Sequence, residues 1–190
     1  MHYDNVKTTI INLYGGPAAG KSTSAAYFYY LLKSEGKNVE LVREYVKDWA
    51  WEKRSISTYD QIYFLGKQVR RESLLYGKVK WIVTDSPVMM NLYYAQRYCP
   101  QILGEGVRAA TLSFYRQAAD DGHKHIHVFL KRNKPYMSEG RYQTEAEAKE
   151  IDTGIKHVLD GFKLPVIECA SDESDLLKIY NQIKAENPEF

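Results

Sequence analysis

Cysteine is scarce. Cys99 and Cys169 are the two thiols in 190 residues, and neither belongs to a CxxC pair. A disulfide framework is therefore excluded, and both read as small core or surface thiols of a reducing compartment. Long apolar runs are also lacking. The longest stretch without a charged side chain, Thr8 to Gly20, has 13 residues, short of the roughly 18–20 that span a bilayer. It also carries Gly15, Gly16 and Pro17. No basic segment precedes an apolar stretch near the N-terminus and no small-residue cleavage site follows one, so the expectation is no secretory signal, no membrane association and a cytoplasmic location. Charge of one sign is missing too: 26 Lys and Arg against 24 Asp and Glu leave +2. That balance argues against a dedicated DNA-coating or membrane-surface protein and leaves a local basic patch open.

What is present is a composition able to bury a core. Apolar residues make up 44% and charged residues 26% of the chain, which rules out disorder and collagen-like repetition. At about 150 residues per domain, the length fits one domain, 1–190, with at most a small appendage. Sixteen tyrosines suit a protein that stacks on flat ligands, although tyrosine is also common on half-buried surfaces.

Short β-branched runs alternate with helical stretches. Strands are predicted at Thr8–Tyr14, Val39–Val42, Val79–Thr84, His125–Lys131 and Pro165–Cys169. Helices are predicted at Lys21–Ser34, Tyr45–Lys53, Thr58–Tyr76, Met89–Tyr98, Glu105–Asp121, Glu145–Asp160 and Glu173–Lys184, with a capping box at Thr144 and Glu147. Such alternation means a parallel sheet covered on both faces: an α/β three-layer sandwich with a five-stranded parallel sheet.

Gly15-Gly16-Pro17-Ala18-Ala19-Gly20-Lys21-Ser22 matches GxxxxGK[ST], between an apolar strand and a helix. The small residues let backbone N–H groups wrap phosphates, and the helix start adds its positive dipole end. Lys21 supplies charge to the transferring phosphate, Ser22 offers a hydroxyl to Mg²⁺, and Thr23 is counted with Gly15, Gly16, Ala18, Ala19, Gly20, Lys21 and Ser22 as nucleotide-binding. The pattern predicts a P-loop NTPase fold binding a nucleoside triphosphate, with ATP as the default.

Asp85 ends the third predicted strand, where ligands of parallel sheets collect, and can hold Mg²⁺ with Ser22; the alternative is an Asp that only caps the next helix. Glu44 ends the second strand and can take the proton of an acceptor hydroxyl; the alternative is a surface Glu paired with Arg43 or Lys47.

These residues resemble the P-loop kinases of small metabolites, especially deoxynucleoside kinases and nicotinamide riboside kinases. Deoxynucleoside kinases end their second strand in Glu-Pro-x-x-x-Trp, and here Glu44 precedes Trp49 by the same spacing without the proline. Their third strand ends in an acidic-Arg-Ser triplet. Asp85-Ser86-Pro87 stands here, so the arginine's role is unassigned. The resemblance implies that Glu44 is the base, Trp49 lies near the substrate, and Gln61, with Gln68 second, reads the base of a nucleoside. It covers most of the chain in order of elements, and the phosphate loop is its specific part.

The basic loop Arg132–Gln143 follows the fourth strand. Lys131, Arg132, Lys134 and Arg141 place four cations within eleven residues, with Gly140 as a hinge candidate. This is where P-loop kinases place a lid, and Arg132 and Arg141 are the arginines expected to reach phosphate oxygens; a solvated charged loop is the alternative. Tyr93, Tyr94 and Arg97, on the helix after Asp85, are candidate acceptor-pocket residues or packing residues. His123, His125 and His127 lack the partners of a metal site and read as a solvent-side stripe. Tyr27 to Tyr30 read as helix-to-sheet packing.

The leading expectation is an ATP- and Mg²⁺-dependent kinase acting on a nucleoside or nucleotide, with Lys21, Glu44, Asp85, Arg132 and Arg141 in the chemistry. Two other classes stay open: a kinase acting on DNA or a hydroxymethylated base in DNA, and a nucleotide-dependent switch or ATPase. The oligomeric state is also open.

Overall fold

The computed structural model describes residues 6–139 and 141–187. Five strands run in chain order: β1 (Thr9–Tyr14), β2 (Val39–Val42), β3 (Trp81–Thr84), β4 (Lys124–Lys131) and β5 (Val166–Ala170). They form one parallel sheet in the order β2-β3-β1-β4-β5. Seven helices connect and follow them: α1 (Lys21–Ser34), α2 (Val46–Trp51), α3 (Asp60–Ser73), α4 (Met90–Tyr98), α5 (Gln101–Asp120), α6 (Glu145–Gly161) and α7 (Glu173–Glu186). The predicted α/β three-layer sandwich is what forms. Among the described residues no helix is long and apolar enough to cross a membrane.

Every residue of β1 is buried, because both faces of a parallel sheet are covered and neither side of the strand meets water. Ile11 and Leu13 point into the core shared with Phe28 and Leu32 of α1 and Leu176, Ile179 and Tyr180 of α7. Tyr14, on the other face, packs with Leu92 of α4 and Ile151, Ile155 and Leu159 of α6. Phe28 is buried and Tyr27 and Tyr29 are half-buried against the same core, while Tyr30, 64% exposed, is the member of the aromatic run on α1 that turns to the surface. The Thr144–Glu147 capping box is present, with Thr144 N–H donating to Glu147 Oε2 at 2.7 Å and Glu147 N–H to Thr144 Oγ1 at 3.3 Å.

Two sequence expectations are corrected here. α5 begins at Gln101, not Glu105, with Pro100 as its N-cap. Gly104 and Gly106 mask the first turn in sequence, and Gly104 suits the close approach there, where a Cβ would lie 3.1 Å from Ala95 O of α4. The histidines are not a solvent-side stripe. His127 is 2% exposed, its Nδ1 meeting Tyr14 Oη at 2.9 Å and its Nε2 meeting Tyr115 Oη at 3.1 Å. His125 sits against Asn12 and Tyr115, and His123 Nδ1 accepts from Thr8 N–H at 3.2 Å. His125 and His127 do share one face of β4, but Tyr115 of α5 covers that face. Burial holds His125 at about 3 and His127 at about 4. Nearby, α3 contributes the fully buried Glu72, whose Oε1 accepts from Tyr76 Oη at 2.5 Å. Burial raises that carboxyl to about 7.

Candidate functional site

The carboxyl end of β1 runs through a loop, residues 15–20, into α1 at Lys21. Gly15 (φ 143°), Ala18 (φ 60°) and Gly20 (φ 93°) all take positive φ, which turns successive N–H groups toward one concavity. Ala18 pays the local cost of a left-handed L-residue, on the order of 1 kcal/mol. A Cβ on Gly16 would stand 2.6 Å from Ala148 O and 2.9 Å from Asp152 Oδ1, and one on Gly20 would stand 2.7 Å from Ser171. The loop is therefore braced by α6 on one side and by the residue after β5 on the other.

Lys21 is 8% exposed, and its Nζ donates to Gly15 O at 2.8 Å and Gly16 O at 3.0 Å. Burial lowers its pKa, while Glu44, Asp85 and Asp152 push it back up. Glu44 follows β2 and Asp85 follows β3, the two strands nearest β1 on that side of the sheet. Glu44 N–H donates to Asp85 Oδ1 at 2.8 Å. Burial raises the Glu44 carboxyl above the usual range, opposed by the charge of Lys21 and reinforced by that of Asp85.

In front of the loop lies a cavity of about 240 Å³. Pro17, Ala18, Gly20, Lys21, Ser22 and Thr23 form one wall, and Glu44, Gln61, Gln68 and Tyr94 form the other, with Arg141, Tyr142 and Gln143 bordering both. Gln61 and Gln68 are 7% and 3% exposed. Gln68 Nε2 donates to Thr84 Oγ1 at 3.5 Å, and its Oε1 is buried without a hydrogen-bond partner among the described residues. Tyr45 closes the cavity beside α3, its hydroxyl 2.8 Å from that of Tyr63.

Of the residues singled out in sequence, Lys21, Ser22, Thr23, Ala18, Gly20, Glu44, Gln61, Gln68, Tyr94 and Arg141 meet on this cavity. Gly15, Gly16 and Ala19 lie behind it as the body of the loop. Asp85 is 3% exposed and stands behind Glu44. Trp49 is not on the cavity wall. It packs edge-on against Phe64 at 4.9 Å between ring centroids, with the Arg54 guanidinium 3.8 Å over its ring. Tyr93 and Arg97 are likewise off the wall. The Tyr93 ring fills the space over Gly154 of α6, and Arg97 reaches Tyr93 Oη at 3.2 Å and Glu150 at 3.5 Å. Of the three candidates on this helix, Tyr94 is the one that faces the cavity, and no local signal separates it from Tyr93.

The basic loop divides. Lys131 pairs with Glu168 at 3.0 Å, Arg132 with Asp152 at 2.9 Å, and Lys134 donates to Ser171 O at 3.0 Å. Arg141 lines the cavity. The Gly140 hinge expectation lies outside the described residues. Tyr142 Oη donates to Arg54 O at 2.8 Å, tying the loop to the segment between α2 and α3, and Tyr136 Oη donates to Gln143 O. Sequence reasoning missed Asp152. The available signal was a carboxylate on the stripe Ala148, Ile151, Ile155, Leu159 that α6 buries.

The fold has solved counterparts. The crystal structure of NadR protein in complex with NR superposes with a TM-score of 0.70 at 15% identity, over 94% of this chain and 50% of that one. A second NadR structure, in complex with NAD and AMP-PNP, gives 0.70 at 13% identity over 94% and 49%. Deoxyadenosine kinase from M. mycoides with bound dATP gives 0.59 at 14% identity, over 92% of this chain and 98% of that one. The chain thus spans about half the length of the NadR structures and nearly all of the kinase. At these identities the likeness is one of fold, an α/β P-loop fold shared with nucleoside-kinase structures. No curated protein matches the sequence. The AAA domain family model matches residues 10–175, and the chain belongs to that family.

Proposed function

We propose that the protein is a kinase that moves the γ-phosphoryl group of ATP onto a hydroxyl of a small nucleoside-like or nucleotide-like acceptor. One observation carries the reading. A phosphate loop, a half-buried carboxylate and two buried amides share a single cavity of about 240 Å³.

The loop N–H groups and Lys21 bind the polyphosphate, and Lys21 and Arg141 neutralise the charge that spreads over the transferring oxygens. Glu44 holds the acceptor hydroxyl in line. As the acceptor oxygen forms its bond to the γ-phosphorus, the bond to the β–γ bridging oxygen breaks. ADP leaves, and the hydroxyl proton passes to a Glu44 oxygen. The burial that raises the Glu44 pKa makes it a better proton acceptor. Gln61 and Gln68 offer amide groups to the flat part of the acceptor, and Tyr94 a face against which it packs. The Ser22 hydroxyl and the Asp85 carboxylate are hard oxygen donors beside the loop, a set that fits Mg²⁺; bound there, Mg²⁺ would neutralise phosphate charge. The Tyr142–Arg54 contact covers the cavity and helps exclude water, so that transfer prevails over hydrolysis.

The test is transfer of label from γ-labelled ATP into a panel of deoxynucleosides, ribonucleosides including nicotinamide riboside, monophosphates, and DNA with and without hydroxymethylated bases. Lys21→Ala serves as the control. Label in one small-molecule class supports the proposal. Label confined to DNA moves the acceptor to the polymer, and release solely as inorganic phosphate overturns the kinase reading in favour of an ATPase or switch.

A further inference from the structure

Asp152 projects from α6 onto the phosphate loop. Its Oδ1 accepts from Gly16 N–H at 2.5 Å. Its Oδ2 accepts from Arg132 Nε at 3.0 Å and lies 2.9 Å from Nη2. Arg132 Nη2 also donates to Ala148 O at 3.4 Å, one turn earlier on α6. The two side chains are largely out of water, at 11% and 17% exposure, where a charge-assisted contact from two guanidinium nitrogens to one carboxylate oxygen holds its geometry firmly. The remaining terminal nitrogen, Arg132 Nη1, is buried with no hydrogen-bond partner among the described residues. A buried cationic donor left unmatched beside a phosphate loop suits an anion.

Resting on the reading of this cavity as an ATP site, we propose that Asp152 is a positioning residue for it. Asp152 binds the first leg of the phosphate loop and the guanidinium of Arg132 into one unit, so that α6, the helix after the basic loop, sets the shape of the cradle and aims Arg132 at the polyphosphate. Arg132 then acts from behind the loop, in a place different from Arg141, which lines the cavity itself. Gly16 is required at the junction because α6 approaches too closely for any side chain. Asp152 touches no reacting atom. It works through the loop and through Arg132.

ATP binding by the full chain tests this without knowledge of the acceptor. Affinities are measured by calorimetry for the wild type, Asp152→Asn, Arg132→Gln and the double variant, at a temperature well below each melting midpoint. Asn keeps the size of the side chain and an oxygen for Gly16 N–H but not the charge for Arg132. The expected result is about tenfold weaker ATP binding for each single variant. The double variant should be no weaker than the worse single by more than about twofold, because both changes break one unit. Asp152→Asn binding ATP as tightly as the wild type, even with a lower melting midpoint, overturns the proposal and leaves a structural role; so does full additivity. If Asp152→Asn does not fold, Arg132→Lys takes its place: it keeps the charge and loses the fork, and wild-type affinity in it overturns the proposal equally. Wild-type protein that binds no ATP removes the nucleotide-site reading itself, and this inference with it.

Discussion

The backbone N–H of Glu44 donates to Asp85 Oδ1 across 2.8 Å, so the carboxyl ends of β2 and β3 are joined beneath the cavity. The contact fixes where the Glu44 side chain begins and holds two carboxylates side by side. Asp85 therefore has two effects on Glu44: it anchors its backbone, and its charge raises the Glu44 pKa alongside burial. Lys21 answers from the phosphate loop and lowers that pKa, against both burial and the Asp85 charge.

Glu44→Gln is expected to lower kcat by about 10²–10⁴-fold while ATP affinity stays within about threefold, since the neutral amide keeps its size but takes no proton. Steady-state kinetics together with nucleotide titration separate the two effects. The wild-type kcat profile should also have an acidic limb above the ordinary carboxylate range, with activity falling as pH drops through the raised pKa of Glu44. That limb should be absent from Glu44→Gln.

Glu72 makes a separate prediction about stability. Its carboxyl is held at about 7 in the fold against an ordinary 4.5, so the folded state binds its proton more tightly than the unfolded chain does. The stabilisation is complete below the ordinary value and is lost as pH rises through about 7. Glu72→Gln keeps an acceptor for Tyr76 Oη and removes the charge. It should be more stable than wild type by about 3 kcal/mol in mildly alkaline buffer, with the gain vanishing below the ordinary carboxylate pKa. His125 and His127, held at about 3 and about 4, act in the opposite direction: their contribution is full above the ordinary histidine value and is lost as pH falls through the depressed ones. Urea unfolding of both proteins across pH isolates the Glu72 term, because the histidine terms are common to both.

Gly16 and Gly66 should respond to alanine with opposite signs. At Gly16 the new Cβ meets Ala148 O at 2.6 Å, so the variant should lose about 1–3 kcal/mol and bind ATP more weakly. Gly66, exposed in the middle of α3, has nothing within 4 Å of the added atom. There alanine removes only the helix penalty and should add about 0.5–1 kcal/mol. Melting midpoints of the two variants decide this.

Tyr142→Phe removes the hydroxyl that reaches Arg54 O at 2.8 Å and leaves the ring in place. With one hydrogen bond less closing the cavity, KM for the acceptor should rise about threefold to tenfold at nearly constant kcat. A fall in kcat at unchanged KM would place Tyr142 in the chemical step instead.

Much of this architecture is legible in the chain because it is local. The glycines and Lys21 lie in one contiguous run, the capping box spans four residues, and strand–helix alternation follows from side-chain periodicity. Glu44 and Asp85 stand together at one edge because a parallel sheet presents the carboxyl ends of its strands there. What failed to show was decided by neighbours distant in sequence. Tyr93 and Tyr94 are adjacent and chemically alike, and only the way α4 packs on α6 turns one toward Gly154 and the other toward the cavity. His125 and His127 have the alternation of a half-exposed strand, and only α5 makes that face an interior.

The order and type of the elements, the phosphate loop and the carboxylates at the strand ends were set by the sequence itself, because spacing along one chain determines which side chains share a turn, a face or an edge. The partners of the basic loop were set by tertiary structure. Arg132 and Arg141 read alike in sequence, yet one pairs with Asp152, 20 residues away on α6, and the other lines the cavity. That division depends on how closely α6 approaches Gly16, a distance fixed by packing against the sheet.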